Sequence, residues 1–254
     1  MTTDTGSKKL TLFHKDYSYP LSRNPYQQKL KELKNVIYDG NETEKHQGKW
    51  LNLFKDPNCN KPNRELHVEI GCNGGHVVLE WAQNAPENAF VGLDWKIKQI
   101  YRGAVKATKR GIQNLVFFRA HAERIEYMFG PGEIDSLYLF FPDPWPKTSQ
   151  LKNRYVKVEN LVKLAKLVKE NGRFEIKTDH QEYFKWMLQA VQETNPYWKI
   201  IEQNMNIHKN SENAKLLAIP EVTLFEKVFV AEDKPIARLV LSRTGKKIEN
   251  DQNE

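Results

Sequence analysis

The sequence predicts an α/β fold in which a mostly parallel, twisted sheet carries helices on both faces. The main observation is that apolar segments of strand length alternate with amphipathic helical patterns from Leu66 onward. A second observation is that polar or charged residues follow the predicted strands, where α/β proteins bind ligands. The chain of 254 residues is also long enough to form one large domain with its own core.

The first predicted element is a short amphipathic helix. Asn24 is a typical N-cap, Pro25 suits the first helical position, and apolar residues recur at helical spacing from Tyr26 to Ile37. The helix therefore precedes the main run of strands.

The remaining elements follow in a regular alternation. Strands are predicted at residues 66–70, 89–94, 115–120, 134–141, 173–179, 197–205 and 237–243. Helices are predicted after Gly75 and over residues 96–110, 155–170 and 181–194. The helix over 96–110 places apolar residues on one face and nearly all of its lysines and arginines on the other.

The pattern predicts three regions. Residues 1–60 form an N-terminal extension with the short helix, partly mobile, residues 61–244 form the main domain, and residues 245–254 form a flexible tail. Residues 1–20 and the polar stretch 206–215 are further segments for which we expect mobility.

The positive charge is clustered. The chain carries 39 Lys and Arg against 32 Asp and Glu, a net charge of +7. Residues 95–119 contain seven basic residues and no acid, and residues 145–169 contain seven with one acid, so the two windows carry +7 and +6. Such clusters favour a polyanionic partner such as nucleic acid, although solvated helix faces are the alternative.

Several classes of protein are disfavoured. The mean hydropathy is −0.70, and no apolar run approaches the roughly 18–20 residues of a membrane span. The N-terminus does not resemble a signal peptide, and two cysteines, Cys59 and Cys72, are too few for a disulfide framework. No histidine pair or Cys/His cluster indicates a metal site, and GxSxG and P-loop motifs are absent. We therefore expect a soluble cytoplasmic protein without membrane or metal partners.

A glycine loop follows the first main strand in the segment EIGCNGGH, residues 69–76. Its glycines allow the backbone to approach a ligand closely, but Asn73 stands where a dinucleotide-binding loop has its second glycine. A carboxylate at Glu69 would repel a pyrophosphate, whereas it suits the cationic S-adenosylmethionine. Asp94 ends the next strand and can accept both ribose hydroxyls. The alternative is a capping turn at Gly71 and a solvated Asp94.

The segment FPDPWPK, residues 141–147, is the most specific motif. Two prolines restrict the backbone around Asp143 and direct it to the mouth of the fourth main strand, beside the first. The alternative is a rigid loop with Trp145 in the core.

These segments resemble the bacterial-type tRNA (guanine-N7)-methyltransferases. The resemblance rests on EIGCNGG, VGLD at 91–94, FPDPWPK, IKTD at 176–179 and TLFEK at 223–227, in family order from about residue 64. It implies a class I Rossmann-like methyltransferase fold, S-adenosylmethionine as cofactor, and methyl transfer to N7 of a guanine in the variable loop of tRNA. The expected assembly is a monomer or a homodimer.

The resemblance also implies roles for particular residues. Asp143 is the implied catalytic residue. The implied cofactor-binding residues are Glu69, Gly71, Asp94, His121 and Asp143, and the implied substrate-binding residues are Lys147, Asp179, Thr223, Leu224, Phe225 and Glu226. From the charge pattern we add Lys152 and Arg154 as RNA contacts.

The sequence departs from the family pattern at four places. Asn73 replaces a glycine, Asp94 replaces the usual glutamate, His121 replaces an aspartate expected at the adenine of the cofactor, and TSQLKNR replaces a histidine-rich basic run after FPDPWPK. Asparagine adopts left-handed backbone conformations more readily than most residues, and a neutral histidine can accept a hydrogen bond.

The chemistry of guanine agrees with these residue types. N7 offers a lone pair, so methyl transfer requires alignment and stabilisation of the cationic purine rather than a base. The donors on the Watson–Crick edge match acceptors such as Asp179, Thr223 or Glu226. Three alternatives stay open: a catalytically silent tRNA-binding relative, a methyltransferase that acts on another amine and, more distantly, an NAD-dependent oxidoreductase.

Overall fold

The computed structural model describes residues 10–20, 23–54, 64–209 and 222–248. In chain order, the helices and strands are α1 Tyr26–Leu30, β1 Ile37–Asp39, β2 Leu66–Ile70, α2 His76–Asn84, β3 Ala89–Asp94, α3 Ile97–Lys109, β4 Leu115–Arg119, α4 Ile125–Met128, β5 Ile134–Phe140, α5 Val158–Leu167, β6 Val168–Thr178, α6 Gln181–Glu193, β7 Trp198–Asn204, α7 Leu224–Ala231 and β8 Ala237–Arg243. The predicted α/β alternation is confirmed.

The strands form one eight-stranded sheet in the order β1-β4-β3-β2-β5-β6-β8-β7. The pairs between β1 and β6 are parallel, and β8 is antiparallel to both β6 and β7. After β2, the chain adds β3 and β4 on one side of this strand and then crosses to add β5 on its other side. The carboxyl ends of β2, β3 and β5 therefore border the crevice in which such sheets bind ligands.

Both faces of the sheet are covered, which explains why β3 and β4 are buried along almost their whole length. One core cluster packs Trp50 and helices α4 to α6 against the sheet, and a second packs helices α1 to α3 against the other face. In α3, Ile97, Ile100 and Ala104 are buried while the lysines are exposed, as the amphipathic pattern predicts.

The predicted helix over 155–170 is wrong at both ends, because α5 spans only Val158–Leu167. Val168 pairs instead with Ile134 on β5, and this strand pairing ends the helix before the predicted stop at Asn171-Gly172. Asn171 has a left-handed φ of 64° and turns the chain within β6.

The N-terminal periodicity also changes element within its length. Helix α1 ends at Leu30, and Ile37 lies in β1 opposite Phe117 rather than on a continued helix. The Phe117 N–H donates to the Val36 carbonyl at 2.7 Å, so pairing with the sheet edge overrides the helical spacing. The predicted boundary near residue 60 therefore separates β1, which belongs to the N-terminal extension, from the other strands of the same sheet.

Residues 10–20, for which we expected mobility, lie against the body of the protein. The fully buried Arg124 donates from Nη1 to the carbonyls of Leu12 and His14, both at 2.8 Å, and from Nε to Glu44 at 2.9 Å. Residues 1–9, 210–215 and 249–254 of the other segments expected to be mobile lie outside the described residues.

Two absences hold for the described ranges. No helix there is long and apolar enough to cross a membrane. The same residues contain no group of three or more His, Cys, Asp and Glu side chains that could hold a metal ion.

We expect Arg124→Gln to lower the free energy of unfolding by about 3 kcal/mol, because it leaves the partly buried Glu44 carboxylate and the carbonyls of Leu12 and His14 without their donor. Urea denaturation of the two proteins measures this loss. Lys163→Gln is the control, since Lys163 forms a partly exposed ion pair with Glu126 that we expect to contribute less than about 1 kcal/mol. Equal losses in the two variants would contradict the role of Arg124.

Candidate active site at the carboxyl ends of the strands

A cavity of about 720 Å³ opens where β2, β3, β4 and β5 end, beside the first residues of α7. Five of the predicted cofactor residues line it: Glu69, Gly71, Asp94, His121 and Asp143. Three of the predicted substrate residues line it as well: Thr223, Leu224 and Phe225. Lys147, Lys152, Arg154, Asp179 and Glu226 are not among its lining residues.

The glycine loop between β2 and α2 has the backbone that its sequence predicts. Gly71 and Gly75 have φ of 74° and 70°, and Asn73 adopts the left-handed region at 51°. A Cβ atom at Gly75 would lie 2.7 Å from the Phe117 ring, so a side chain there would clash with the core. The left-handed φ of Asn73 agrees with the expectation that asparagine can replace glycine at this position.

Glu69 is buried at the base of the cavity, with 5% of its surface exposed. Its Oε2 atom is buried and has no hydrogen-bond partner. Burial raises the pKa of Glu69 to about 8, and the nearby Asp94 charge adds to the effect although a backbone N–H from Val78 opposes it. A buried acceptor without a partner is costly to the protein, so Glu69 is suited to a cationic ligand.

Asp94, the last residue of β3, is held by two backbone amides. Its Oδ2 accepts from the Asn73 N–H at 2.9 Å, and its Oδ1 accepts from the Lys96 N–H at 2.7 Å. Each carboxylate oxygen keeps a further lone pair for a hydroxyl donor. The glycine loop and the end of β3 are thereby fixed relative to each other.

His121 follows β4 and lies against Trp95. The centroids of the two rings are 3.6 Å apart, and the planes are 21° from parallel. Burial lowers the pKa of His121, and the charges of Arg119 and Arg124 lower it further against the opposing charge of Glu123. The neutral form of His121, which can accept a hydrogen bond, therefore persists to a lower pH than in an ordinary histidine.

Asp143 lies on the loop after β5, exposed and at the cavity wall. Phe141 and Trp145 have left-handed φ of 53° and 42°, so the loop is sharply bent on both sides of Asp143. The Phe141 N–H donates to the Lys177 carbonyl at 2.8 Å and anchors the start of the loop.

Arg154 is buried against this loop and does not face solvent. Only 5% of its surface is exposed, and its Nε donates to the Pro144 carbonyl at 2.8 Å. Its guanidinium also lies 4.8 Å from the centroid of the Tyr183 ring. The structure therefore does not support the expectation of an RNA contact at Arg154, because its guanidinium is buried and bonded to the loop.

The segment Thr223–Glu226 begins α7. The Thr223 hydroxyl accepts from the Glu226 N–H at 2.9 Å and caps the helix, while Leu224 and Phe225 are largely exposed beside the cavity. The Glu226 carboxylate is 1% exposed and lies 3.0 Å from Lys177 Nζ and 2.7 Å from His208 Nε2. Glu226 is therefore already paired inside the protein, and the expectation that it holds the guanine edge is not supported.

Lys147 and Lys152 are exposed on the segment that follows the loop, and Asp179 follows β6 at the same edge of the sheet. Sequence reasoning missed several cavity residues, among them Trp95, Arg102 and Lys106. Trp95 could have been found, because it directly follows Asp94 at a strand end. Arg102 and Lys106 were counted in the basic window, but only the position of α3 beside the cavity distinguishes them from the other cations.

Comparisons with known proteins identify the family of this chain. A family model described as putative methyltransferase matches residues 63–239. A tRNA (guanine-N(7)-)-methyltransferase of Bdellovibrio bacteriovorus is 32% identical over 79% of this chain and 92% of its own length. A protein of the same description from Christiangramia forsetii is 28% identical over 91% of this chain and 96% of its own.

Among solved structures, the 16S rRNA methyltransferase KamB has a TM-score of 0.53 at 16% identity and covers 71% of this chain and 88% of its own. At that identity the likeness concerns the fold alone. The fold is the Rossmann-like α/β fold of these structures, and the family model makes the chain a member of a methyltransferase family. Within the methyltransferases, the chain belongs to the tRNA (guanine-N7)-methyltransferase family, whose members depend on S-adenosylmethionine.

The residues present fit that cofactor. The unpaired Oε2 of Glu69 offers an acceptor and, once ionised, a negative charge to the amino group and sulfonium. The bare backbone at Gly71, where an added Cβ would meet nothing within 4 Å, leaves room for close approach. Asp94 suits the ribose hydroxyls, and no cation in the described contacts occupies Glu69.

We expect the binding of S-adenosylmethionine to release a proton at pH 7. Glu69 has a raised pKa and is mostly protonated below pH 8, whereas a cationic ligand prefers the ionised carboxylate. Affinity should therefore rise from pH 6 to 7.5, by at most about tenfold per pH unit. Calorimetry in buffers of different ionisation enthalpy measures the released proton.

Glu69→Gln should release no proton and should bind roughly tenfold or more weakly at pH 7.5. Glu123→Gln is the matched control, because Glu123 also lines the cavity but is half-exposed. A released proton that persists in Glu69→Gln would assign the titration to another group.

Proposed function

We propose that this protein transfers a methyl group from S-adenosylmethionine to N7 of a guanine in the variable loop of tRNA. The observation that carries the proposal is that a buried Glu69, whose Oε2 has no hydrogen-bond partner, and an exposed Asp143 line the same cavity in a chain of this family. We further propose that the protein acts in the cytoplasm as a monomer or a homodimer.

Bound S-adenosylmethionine supplies an electrophilic methyl group. Glu69 would hold the amino group of the cofactor, and Asp94 would hold its ribose hydroxyls. The bent loop directs Asp143 to the region where N7 must lie. Methylation gives the purine ring a positive charge, and the Asp143 carboxylate stabilises that charge as it develops. No proton has to leave N7, so Asp143 need not act as a base.

Residues beside the cavity offer the guanine base an apolar surface and hydrogen-bond acceptors. Leu224 and Phe225 are 61% and 54% exposed beside the cavity, so they offer an apolar surface on which a flat base can stack. Asp179, at the end of β6, remains our proposed acceptor for the Watson–Crick edge, together with the free lone pair of Thr223. Glu226 instead anchors α7 through Lys177 and His208.

The RNA backbone has a basic surface beside the cavity. Lys96, Arg102 and Lys106 are exposed and line the cavity, and Lys147 and Lys152 are exposed after the Asp143 loop. Cations on two sides of one opening favour an extended polyanion over a small anion.

The proposal is tested by incubating the protein with unmodified tRNA and labelled S-adenosylmethionine, then digesting the RNA and identifying the nucleoside. We expect N7-methylguanosine from a single position. Cofactor and tRNA binding without any product would favour the silent relative, and a different methylated nucleoside would overturn the substrate assignment.

We expect Asp143→Asn to lower the single-turnover rate of methyl transfer at least about 100-fold with little change in cofactor affinity, because the lost charge acts on the transition state. Rapid-quench measurement of single turnovers checks this. Glu159→Gln, which removes an exposed carboxylate on α5, is the control and should leave the rate unchanged. A normal rate in Asp143→Asn would limit Asp143 to the loop structure.

We expect tRNA affinity to depend on salt with a slope of log affinity against log salt of roughly −3 to −4, the value for about four phosphate contacts. Replacing Lys147 and Lys152 with glutamine should reduce the slope by about 2. Filter binding over a salt series measures it. Lys199→Gln, at the start of β7 and hence the opposite end of the sheet, is the control, and an equal effect there would move the RNA surface elsewhere.

A further inference from the structure

We propose that residues 10–20, here called the N-terminal strap, are a working part of the cofactor site, and that Tyr19 is a positioning residue for His121 at the adenine end. The proposal rests on the cofactor use given under the proposed function. It assigns a role to a segment that lies outside the matched family region, residues 63–239.

The strap is held by buried polar contacts rather than by apolar packing alone. Arg124 has no exposed surface and donates to the carbonyls of Leu12, His14 and Lys15 at 2.8, 2.8 and 3.3 Å. The Glu44 carboxylate lies 2.8 Å from Arg124 Nη2 and balances its charge. Because these three carbonyl partners of the buried Arg124 all lie in the strap, Arg124 holds that segment in one arrangement.

The far end of the strap is fixed on both sides of Ser18. The Asn41 side chain donates to the Tyr17 carbonyl at 2.9 Å and accepts from the Tyr19 N–H at 3.2 Å. Gly40 has a φ of 57°, and a Cβ atom there would lie 3.2 Å from the Tyr19 ring. The Tyr19 ring is therefore set in place by the backbone at Gly40.

Tyr19 reaches the cavity wall through His121. Its hydroxyl oxygen accepts from the His121 backbone N–H at 3.1 Å, and burial raises the pKa of Tyr19 to about 12, so the hydroxyl stays protonated. The Tyr19 ring lies 6.0 Å from the His121 ring and 5.9 Å from Trp95, nearly parallel to His121 at 11°. Tyr19 thus touches both aromatic residues of this wall from outside the cavity.

Trp95 restricts how a purine can approach His121. The His121 ring is 3.6 Å from the Trp95 centroid and the Arg119 guanidinium carbon is 3.9 Å from it, so the two groups must lie on opposite faces of the indole. A purine needs about 3.5 Å from each ring that it stacks on, and no such space exists between Trp95 and His121. Trp95 covers one face of the imidazole, and we place the purine at the imidazole edge, where a neutral nitrogen can accept from its 6-amino group.

The direction of that edge depends on the backbone of His121, and Tyr19 holds the backbone N–H. Loss of the Tyr19 hydroxyl frees this peptide and rotates the acceptor away from the amino group. The effect should therefore concern the adenine amino group alone, whereas a general loss of folding would weaken every contact with the ligand.

Calorimetry with two ligands tests the proposal: S-adenosylhomocysteine, and its analogue in which hydrogen replaces the 6-amino group. Wild type should bind the analogue roughly 5- to 10-fold more weakly, the effect of one hydrogen bond. Tyr19→Phe should lose most of this preference, so that the ratio of the two dissociation constants approaches one, while its melting temperature changes little. Tyr19→Leu should give the same ratio with weaker binding of both ligands.

Tyr127→Phe is the matched control. It removes a hydroxyl that donates to the Phe13 carbonyl at 3.1 Å, on the same strap but away from His121, and should keep the wild-type ratio. A Tyr19→Phe protein with the wild-type ratio, or equal changes in both Phe variants, would overturn the positioning role. A wild type that binds both ligands equally would overturn the adenine contact and leave methyl transfer intact, whereas no binding of S-adenosylhomocysteine would overturn the proposed function with it.

Discussion

The parallel pairing of β2 between β3 and β5 is the constraint on which the site depends. In register, Glu69 lies opposite Gly92 on β3 and Tyr138 on β5, so the three strands end together. Glu69, Asp94 and Asp143 belong to three segments that are distant in sequence, yet the common edge of the sheet places all of them at one cavity. A shift of one residue in either pairing would turn Glu69 to the other face of the sheet.

The basic residues divide into two groups that composition cannot separate. Lys96, Arg102 and Lys106 are exposed beside the cavity, where they add to the attraction for a polyanion. Arg119, Arg124 and Arg154 are buried and hold backbone or carboxylate groups next to the same cavity. These three arginines serve inside because a planar guanidinium can donate to several acceptors at once, whereas Lys96 and Lys106 remain in solvent.

Several polar residues of the family motifs support other elements here. Thr223 caps α7, and Glu226 binds Lys177 at the end of β6 and His208 after β7. The first turn of α7 is thereby fixed to the sheet, which leaves Leu224 and Phe225 exposed at the cavity. A buried carboxylate paired with a lysine and a histidine thus positions two apolar side chains at the cavity.

The sequence by itself determined the α/β alternation, the left-handed tolerance of the glycine loop at Asn73, and the residues at the strand ends, because periodicity and local backbone preferences are properties of short segments. Only the tertiary structure decided where α5 ends, that Ile37 joins the sheet, that Arg154 and Glu226 are buried, and that Tyr19 reaches His121. These outcomes depend on partners 10 to 102 residues away. A charged side chain has the same sequence signature in solvent and in a buried pair, and only the packing of distant segments determines its environment.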